Sequence, residues 1–254
     1  MSLFKYLTRH PFPVVAHFER VVAVSFAFPE VILRPLVPNA LEIDTHEGFG
    51  FITAAMVWTN KLRPAGFPHV LGQDFFLAGY RVFTRLRDES GRKLRGLLIL
   101  RSETDKQRMV WFGNLLTHYH YRHVHVRIEQ EPSETRVKTS LSDGTPTLSV
   151  TFVLPEDAIS LPQGSPFRDW RTARLFAGPM PFTFSPEGDG RVVIVEGSRQ
   201  NWVPRPIHVK DWHVSLFQEP PLCGTKPILA NAFMVQHVSY RWEKGRIVQP
   251  GHAS

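Results

Sequence analysis

The chain has little cysteine and no long apolar run. Cys223 is the only thiol among 254 residues, which excludes an internal disulfide bond and any zinc site built on paired cysteines. No segment approaches the roughly 18 apolar residues that a membrane helix needs. Pro11 and Pro13 interrupt the N-terminal segment before an apolar stretch of signal-peptide length develops. We therefore expect a soluble, cytoplasmic protein with no membrane partner.

Signatures of nucleic-acid binding are also missing. The formal charge is +7 and the isoelectric point is near 9.8, and basic surfaces attract phosphates. However, the basic residues are spread along the chain, and the densest clusters, at 85–87 and 92–95, flank an expected hairpin turn at 88–91. No zinc-finger spacing, RRM signature or basic helix is present. The excess charge fits a small anionic ligand better than a nucleic acid.

What the chain does contain is apolar and aromatic residues in short runs. With 43% hydrophobic and 12% aromatic residues, it can bury a substantial core, and we expect one domain over 1–254. Helix candidates are too few to cover both faces of a parallel sheet. The pattern predicts a mainly β (α+β) fold, an antiparallel barrel or sandwich with a few short helices. A large barrel can enclose a cavity for one small ligand.

The elements follow from alternation, β-branched residues and breakers. Thr104 or Asp105 is the predicted cap of the longest helix. A segment rich in Pro and Gly, 61–72, is predicted as a loop. The predicted strands are 21–28, 49–58, 75–87, 92–101, 124–129, 135–140, 147–154, 191–196, 207–216 and 233–242, and the predicted helices are 30–36, 104–116 and 167–176.

Segment 113–125 is the richest in chemistry. It holds four of the twelve histidines, two tyrosines and an arginine, but no lysine, cysteine or carboxylate. If it is extended, His118, His120 and Arg122 share one face. A His-x-His pair can bind metal, yet further ligands are not supplied, since Glu129 is too distant, and we predict no metal. Two interpretations stay open: surface or hydrogen-bonded core histidines, or a cavity rim that orients an anionic or carbonyl-bearing ligand.

Two blocks, 17–26 and 33–43, resemble the start of acetoacetate decarboxylase. In this chain, as in that enzyme, an arginine leads into a strand and a short helix, and the sequence Leu-Arg-x-x-Val-Pro-x-x-Leu-Glu follows. With residues 72–77 and the hairpin through Arg101, the chain is more closely similar to a bacterial family of unknown function in the acetoacetate decarboxylase-like superfamily. The resemblance implies a cone-shaped antiparallel β-barrel with an internal cavity.

The same resemblance can be followed to the catalytic lysine. Acetoacetate decarboxylase forms a Schiff base through a lysine in Gly-x-x-Leu-x-x-Tyr-Pro-Lys-Lys. Gly113, Leu116 and Tyr119 match that pattern, which places Tyr121 at the Schiff-base lysine and Arg122 at its neighbour. A phenol cannot condense with a ketone to an iminium, so lysine-dependent decarboxylation is not supported.

Other site positions implied by the resemblance are Arg20, at the start of the first strand, and Gln73, next to Asp74, in the loop before the hairpin. We expect either an enzyme that acts on a small carbonyl or carboxylate compound or a non-catalytic small-molecule binder, without a cofactor, and a homo-oligomer in either case. The predicted catalytic residues are Arg20, Asp74, His118, His120 and Arg122, and the predicted ligand-binding residues are Gln73, Tyr119 and Tyr121.

Overall fold

The structure is a computed structural model that describes residues 6–155, 160–178 and 180–251. None of the helices in these ranges is long and apolar enough to cross a membrane. The described strands are β1 Val14–Pro29, β2 Glu42–Ile43, β3 Phe49–Pro64, β4 Gln73–Arg87, β5 Lys93–Thr104, β6 Tyr121–His123, β7 His125–Gln130, β8 Thr135–Ser140, β9 Pro146–Val153, β10 Phe182–Pro186, β11 Val192–Gln200, β12 Arg205–Pro206, β13 His208–Val214, β14 Ile228–Trp242 and β15 Arg246–Val248.

The helices are short. The α-helices are α1 Glu30–Leu33, α2 Gln107–Leu116 and α3 Trp170–Phe176, and 3₁₀ turns cover Arg34–Leu36, His69–Leu71 and Ser215–Gln218. The predicted class, mainly β with a few short helices, is confirmed. The predicted cap of α2, Thr104 or Asp105, is wrong, because Lys106 occupies the N-cap position and its side chain makes no capping hydrogen bond. The Asp105 carboxylate instead accepts a hydrogen bond from the Phe76 N–H at 2.8 Å, which ties it to β4.

Seven strands form a sheet that closes on itself, called here the ring sheet. In order they are β14, β1, β3, β4, β5, β10 and β11, and β11 pairs with both β10 and β14. Neighbouring strands are antiparallel except β5 and β10, which run parallel. The predicted hairpin at 75–87 and 92–101 is confirmed as β4 and β5. The predicted loop begins too early, because residues 61–64 still belong to β3 and Pro64 pairs with Val14.

Both faces of the ring sheet are buried along the central parts of β1, β3 and β4. Residues such as Val22, Val24 and Phe26 of β1 pack outward against a second sheet of four strands, ordered β13, β9, β8 and β7. Their neighbours Val21 and Ala23 face the inside of the ring. A strand that is buried on both sides needs a nearly continuous apolar sequence, as β1 and β3 have, rather than alternation of apolar and polar residues.

A buried carboxylate links the two sheets. Glu103 of β5 has no exposed surface. It accepts hydrogen bonds from the Tyr80 hydroxyl at 3.0 Å and from the hydroxyls of Thr147 at 2.9 Å and Thr139 at 3.3 Å. Arg122 forms an ion pair with the same carboxylate, and its Nε lies 3.0 Å from Oε1. The carboxylate is thus satisfied from both sheets, as a buried charge requires.

We predict that Glu103→Ala lowers the free energy of unfolding by about 3 kcal/mol, because it leaves a guanidinium and buried hydroxyls without their acceptor. Urea denaturation measures the change. The matched control is Glu243→Ala, which removes a carboxylate paired with Arg241 where both side chains are about two-fifths exposed, and it should cost less than about 1 kcal/mol. Equal losses in the two variants would contradict a structural role for Glu103.

Candidate functional site

A cavity of about 130 Å³ lies inside the ring sheet and is called here the inner cavity. An apolar cavity of about 150 Å³ suffices to hold a benzene molecule, so this one suits a ligand of a few heavy atoms. Most of its wall is apolar. The polar side chains that line it are Ser25, Thr53, Arg81, Ser102, Tyr119, Tyr121, Thr183, Arg199 and Tyr240.

Arg81 of β4 supplies a buried positive charge to this cavity. Its guanidinium is enclosed by protein, and burial lowers the pKa of Arg81 below the usual arginine value. The buried Nε has no hydrogen-bond partner among the described residues. No aspartate or glutamate is among the described residues that line the cavity. A buried cation without a counter-ion is costly, and an anion that enters the cavity would remove that cost.

Gly79 makes room for the Arg81 side chain. The two residues lie on the same face of β4 because side chains alternate along a strand. A Cβ atom at Gly79 would lie 3.1 Å from both Nε and Nη2 of Arg81. The missing side chain therefore lets the guanidinium lie along its own strand.

A second cation, Arg199 of β11, lines the same cavity. Its guanidinium carbon is 5.5 Å from the ring centroids of both Trp202 and Tyr240. Its Nη2 donates a hydrogen bond to the Met180 carbonyl at 3.2 Å. Burial lowers the pKa of Arg199 as well. Aromatic faces and a carbonyl thus stabilise this charge, whereas no aromatic face or carbonyl of the described residues does so for Arg81.

Three phenols face the two arginines. Burial raises the pKa of Tyr121 to about 12, and it also raises the pKa of Tyr119 and of Tyr240. All three are therefore protonated near neutral pH and can donate hydrogen bonds, but they cannot act as bases there. The inner cavity offers cations and hydroxyl donors, a combination that suits a carboxylate or a polarised carbonyl oxygen.

A second, larger cavity of about 450 Å³ lies beside the inner one and is called here the outer cavity. It is bounded by α2, the start of β4 and the N-terminal segment before β1, and Gln73 is part of its wall. Phe18, Leu77, Tyr119, Tyr121 and Trp242 line both cavities. The two spaces therefore meet at these five side chains.

Helix α2 positions the two predicted tyrosines. A Cβ atom at Gly113 would lie only 2.3 Å from Cδ2 of Tyr121, so the helix backbone packs directly on that ring. Asn114 fixes the following segment, because its Oδ1 accepts from the Tyr121 N–H at 2.8 Å and its Nδ2 donates to the Tyr121 carbonyl at 2.9 Å. Gly113, which matches the glycine of the acetoacetate decarboxylase motif, thus leaves the space that the Tyr121 ring occupies.

The structure places the predicted ligand-binding residues at the cavities, with Tyr119 and Tyr121 between them and Gln73 at the outer one. Arg122 lies on the opposite face of the ring sheet, where it pairs with Glu103. Tyr121 and Arg122 point in opposite directions because consecutive side chains of a strand alternate.

The remaining predicted catalytic residues do not line the inner cavity either. Arg20 lies over the Trp58 ring at 5.5 Å, and exposed Asp74 accepts from the Lys61 N–H at 2.7 Å. His120 is exposed with a left-handed backbone (φ 52°), and burial lowers the pKa of His118. As catalytic residues these four and Arg122 stay predictions, and the geometry gathers none of them around the inner cavity.

Sequence reasoning missed Arg81, Arg199 and Tyr240. Arg81 had a readable signal, because it interrupts the apolar strand β4 two residues after Gly79, on the face that the glycine leaves open. Arg199 and Tyr240 had none, since their contact depends on the pairing of β11 with β14, which closes the ring. Within the described ranges, no three His, Cys, Asp or Glu side chains are grouped as a metal site would require.

Comparison with known proteins identifies the fold. Residues 15–239 match the model of the DUF2071 family, described as "Uncharacterized conserved protein". No curated protein sequence matches the chain.

Solved structures resemble it over nearly its whole length. The acetoacetate decarboxylase of Legionella pneumophila aligns with a TM-score of 0.64 at 10% identity, covering 94% of this chain and 88% of that one. MppR, an enduracididine biosynthesis enzyme complexed with pyruvate, gives 0.62 at 12% identity, covering 92% and 90%. An acetoacetate decarboxylase-like enzyme from Sphingomonas wittichii RW1 gives 0.60 at 10% identity, covering 94% of each chain. At such identities the likeness shows the fold alone.

We predict that Gly113→Ala lowers the melting temperature. Alanine normally stabilises a helix by about 1 kcal/mol relative to glycine, but here its methyl group would overlap the Tyr121 ring, and overpacking costs about 1–3 kcal/mol. Differential scanning calorimetry measures the change. Gly188→Ala is the control, because nothing lies within 4 Å of a Cβ atom there and the melting temperature should barely move. A gain in stability from Gly113→Ala would mean that α2 does not pack on Tyr121.

Proposed function

We propose that this chain, which belongs to the DUF2071 family of uncharacterised conserved proteins and has the acetoacetate decarboxylase-like fold, binds a small carboxylate or carbonyl compound in its inner cavity without forming a Schiff base. The uncompensated Arg81 guanidinium carries this proposal. A carboxylate would pair with Arg81, and the phenols of Tyr119 and Tyr121 would donate to its oxygen atoms or to an adjacent carbonyl. That MppR is complexed with pyruvate supports a ligand of this size.

The positions of the lysines support the absence of Schiff-base chemistry. Every lysine in the described residues is exposed, and none lines the inner cavity. Tyr121 lines the cavity at the place where the resemblance puts the reactive lysine. A neutral phenol there can polarise a carbonyl but cannot condense with it.

The bound compound is either converted by the protein, as by an enzyme, or only bound, and one observation favours the second candidate, a non-catalytic binding protein. The described lining of the inner cavity contains no histidine, aspartate, glutamate or lysine, so it offers no group to accept a proton near neutral pH. Incubation with 2-oxo and 3-oxo acids, followed by proton NMR, separates the two candidates. If the protein only binds the oxo acid, the oxo acid raises the melting temperature of the protein and no product forms. An enzyme would consume the oxo acid.

We expect Arg81→Met to weaken the binding of pyruvate at least tenfold, because it removes a charge-assisted hydrogen bond to the carboxylate. Isothermal titration calorimetry measures the affinity. The fold should tolerate the change, since a buried unpaired charge is replaced by an apolar side chain of similar length. Arg20→Met is the matched control, because Arg20 lies over Trp58 and does not line the inner cavity. Loss of binding in Arg20→Met with retention in Arg81→Met would overturn the assignment.

We also expect borohydride to trap no pyruvate adduct on the wild-type chain, and to trap one on Tyr121→Lys. Burial and the nearby Arg81 charge would lower the pKa of the new amine, so that a nucleophilic neutral form exists near neutral pH. Intact-mass spectrometry detects the reduced adduct. Tyr6→Lys, at a position 41% exposed, controls for an added lysine outside the cavity. Stoichiometric trapping on the wild-type chain would show that a Schiff-base lysine exists after all.

A further inference from the structure

We infer that the ligand is amphiphilic: a carboxylate head lies at Arg81 in the inner cavity, and an apolar chain or ring extends from it into the outer cavity. This inference rests on the proposed function and adds the class of compound. Its basis is the way in which the two cavities meet, the mostly apolar wall of the outer one, and an exposed apolar rim at its opening.

The two cavities form one path of changing polarity. Five side chains line both of them, with Tyr119 and Tyr121 on one side of the junction and Phe18, Leu77 and Trp242 on the other walls. Arg81 lines only the inner cavity. At about 130 Å³ the inner cavity has room for a head group, while the outer one, at about 450 Å³, has the size of an ordinary ligand site.

The outer cavity has two basic side chains in its wall, Arg63 and His10, and most of the remaining wall is apolar. Arg63 donates from Nη1 to the Lys61 carbonyl at 2.8 Å and from Nε to the Phe67 carbonyl at 3.0 Å. Burial lowers the pKa of His10 to about 4, so the imidazole is neutral near pH 7. The described wall includes no aspartate, glutamate or lysine. Methylene or aromatic groups of a ligand would leave water for this mostly apolar surface.

The opening of the outer cavity is apolar as well. Leu71 and Phe112 line this cavity and are also 59% and 50% exposed. Apolar side chains that line a cavity and also contact solvent mark the path by which an apolar ligand enters. At the preceding position of α2, Trp111 is 65% exposed but does not line the cavity, which makes it a useful control.

The test is a series of straight-chain 2-oxo acids from pyruvate to 2-oxodecanoate, titrated into the wild-type chain by calorimetry. We expect the affinity to rise roughly threefold with each added methylene until the outer cavity is filled, because each buried methylene contributes a similar transfer free energy. Phe112→Ala and Leu71→Ser should weaken the binding of 2-oxooctanoate at least threefold and leave pyruvate unchanged. Trp111→Ala should change neither affinity.

The outcomes separate this inference from the proposed function. If pyruvate binding depends on Arg81 but the affinity does not rise along the series, the inference of an amphiphilic ligand is overturned and the carboxylate site is retained. If 1-octanol binds as well as 2-oxooctanoate, and Arg81→Met affects neither, the head-group assignment fails and both proposals are overturned. Equal losses in Phe112→Ala and Trp111→Ala would place the apolar contact on the outer surface of α2 and not in the cavity.

Discussion

Burial of both faces of β1, β3 and β4 in the ring sheet is the constraint on which the rest of the structure depends. Because side chains alternate along a strand, consecutive residues enter different environments: Tyr80 reaches the carboxylate between the two sheets, and Arg81 reaches the cavity inside the ring. The same holds for Tyr121 and Arg122. A shift of the register by one residue would exchange the two environments, so strand pairing fixes structural core and candidate site together.

The two buried charges of these environments are handled in opposite ways. Glu103 has hydrogen-bond donors from both sheets and an ion pair with Arg122, which is what a buried charge requires if its role is structural. Arg81 is partly buried, with a buried Nε that has no hydrogen-bond partner, and no carboxylate lines the cavity beside it among the described residues. A charge that the fold itself does not neutralise is a candidate for ligand binding, because a ligand can supply what the protein omits.

The fold is shared with enzymes, but chemistry depends on a few side chains within it. At 10–12% identity the fold is retained, while the resemblance to acetoacetate decarboxylase puts Tyr121 at the position of the reactive lysine. Phenols that burial keeps protonated supply hydrogen bonds and no nucleophile near neutral pH. Together with the apolar outer cavity, this lining is the basis of the proposed recognition of a carboxylate.

Local patterns in the sequence determined the fold class, most strands and the position of α2, because strand and helix periodicities and breaker residues act over a few neighbours. They also led to Tyr119 and Tyr121, through a motif that includes Gly113. The pairing of β11 with β14, which brings Arg199 beside Tyr240, was decided only by the tertiary structure. So was the face on which each arginine lies, with Arg122 outward to Glu103 and Arg81 inward to the cavity. Alternation predicts that consecutive side chains of a strand point to opposite faces of the sheet. Which of the two faces lines the cavity depends on how distant strands close the ring.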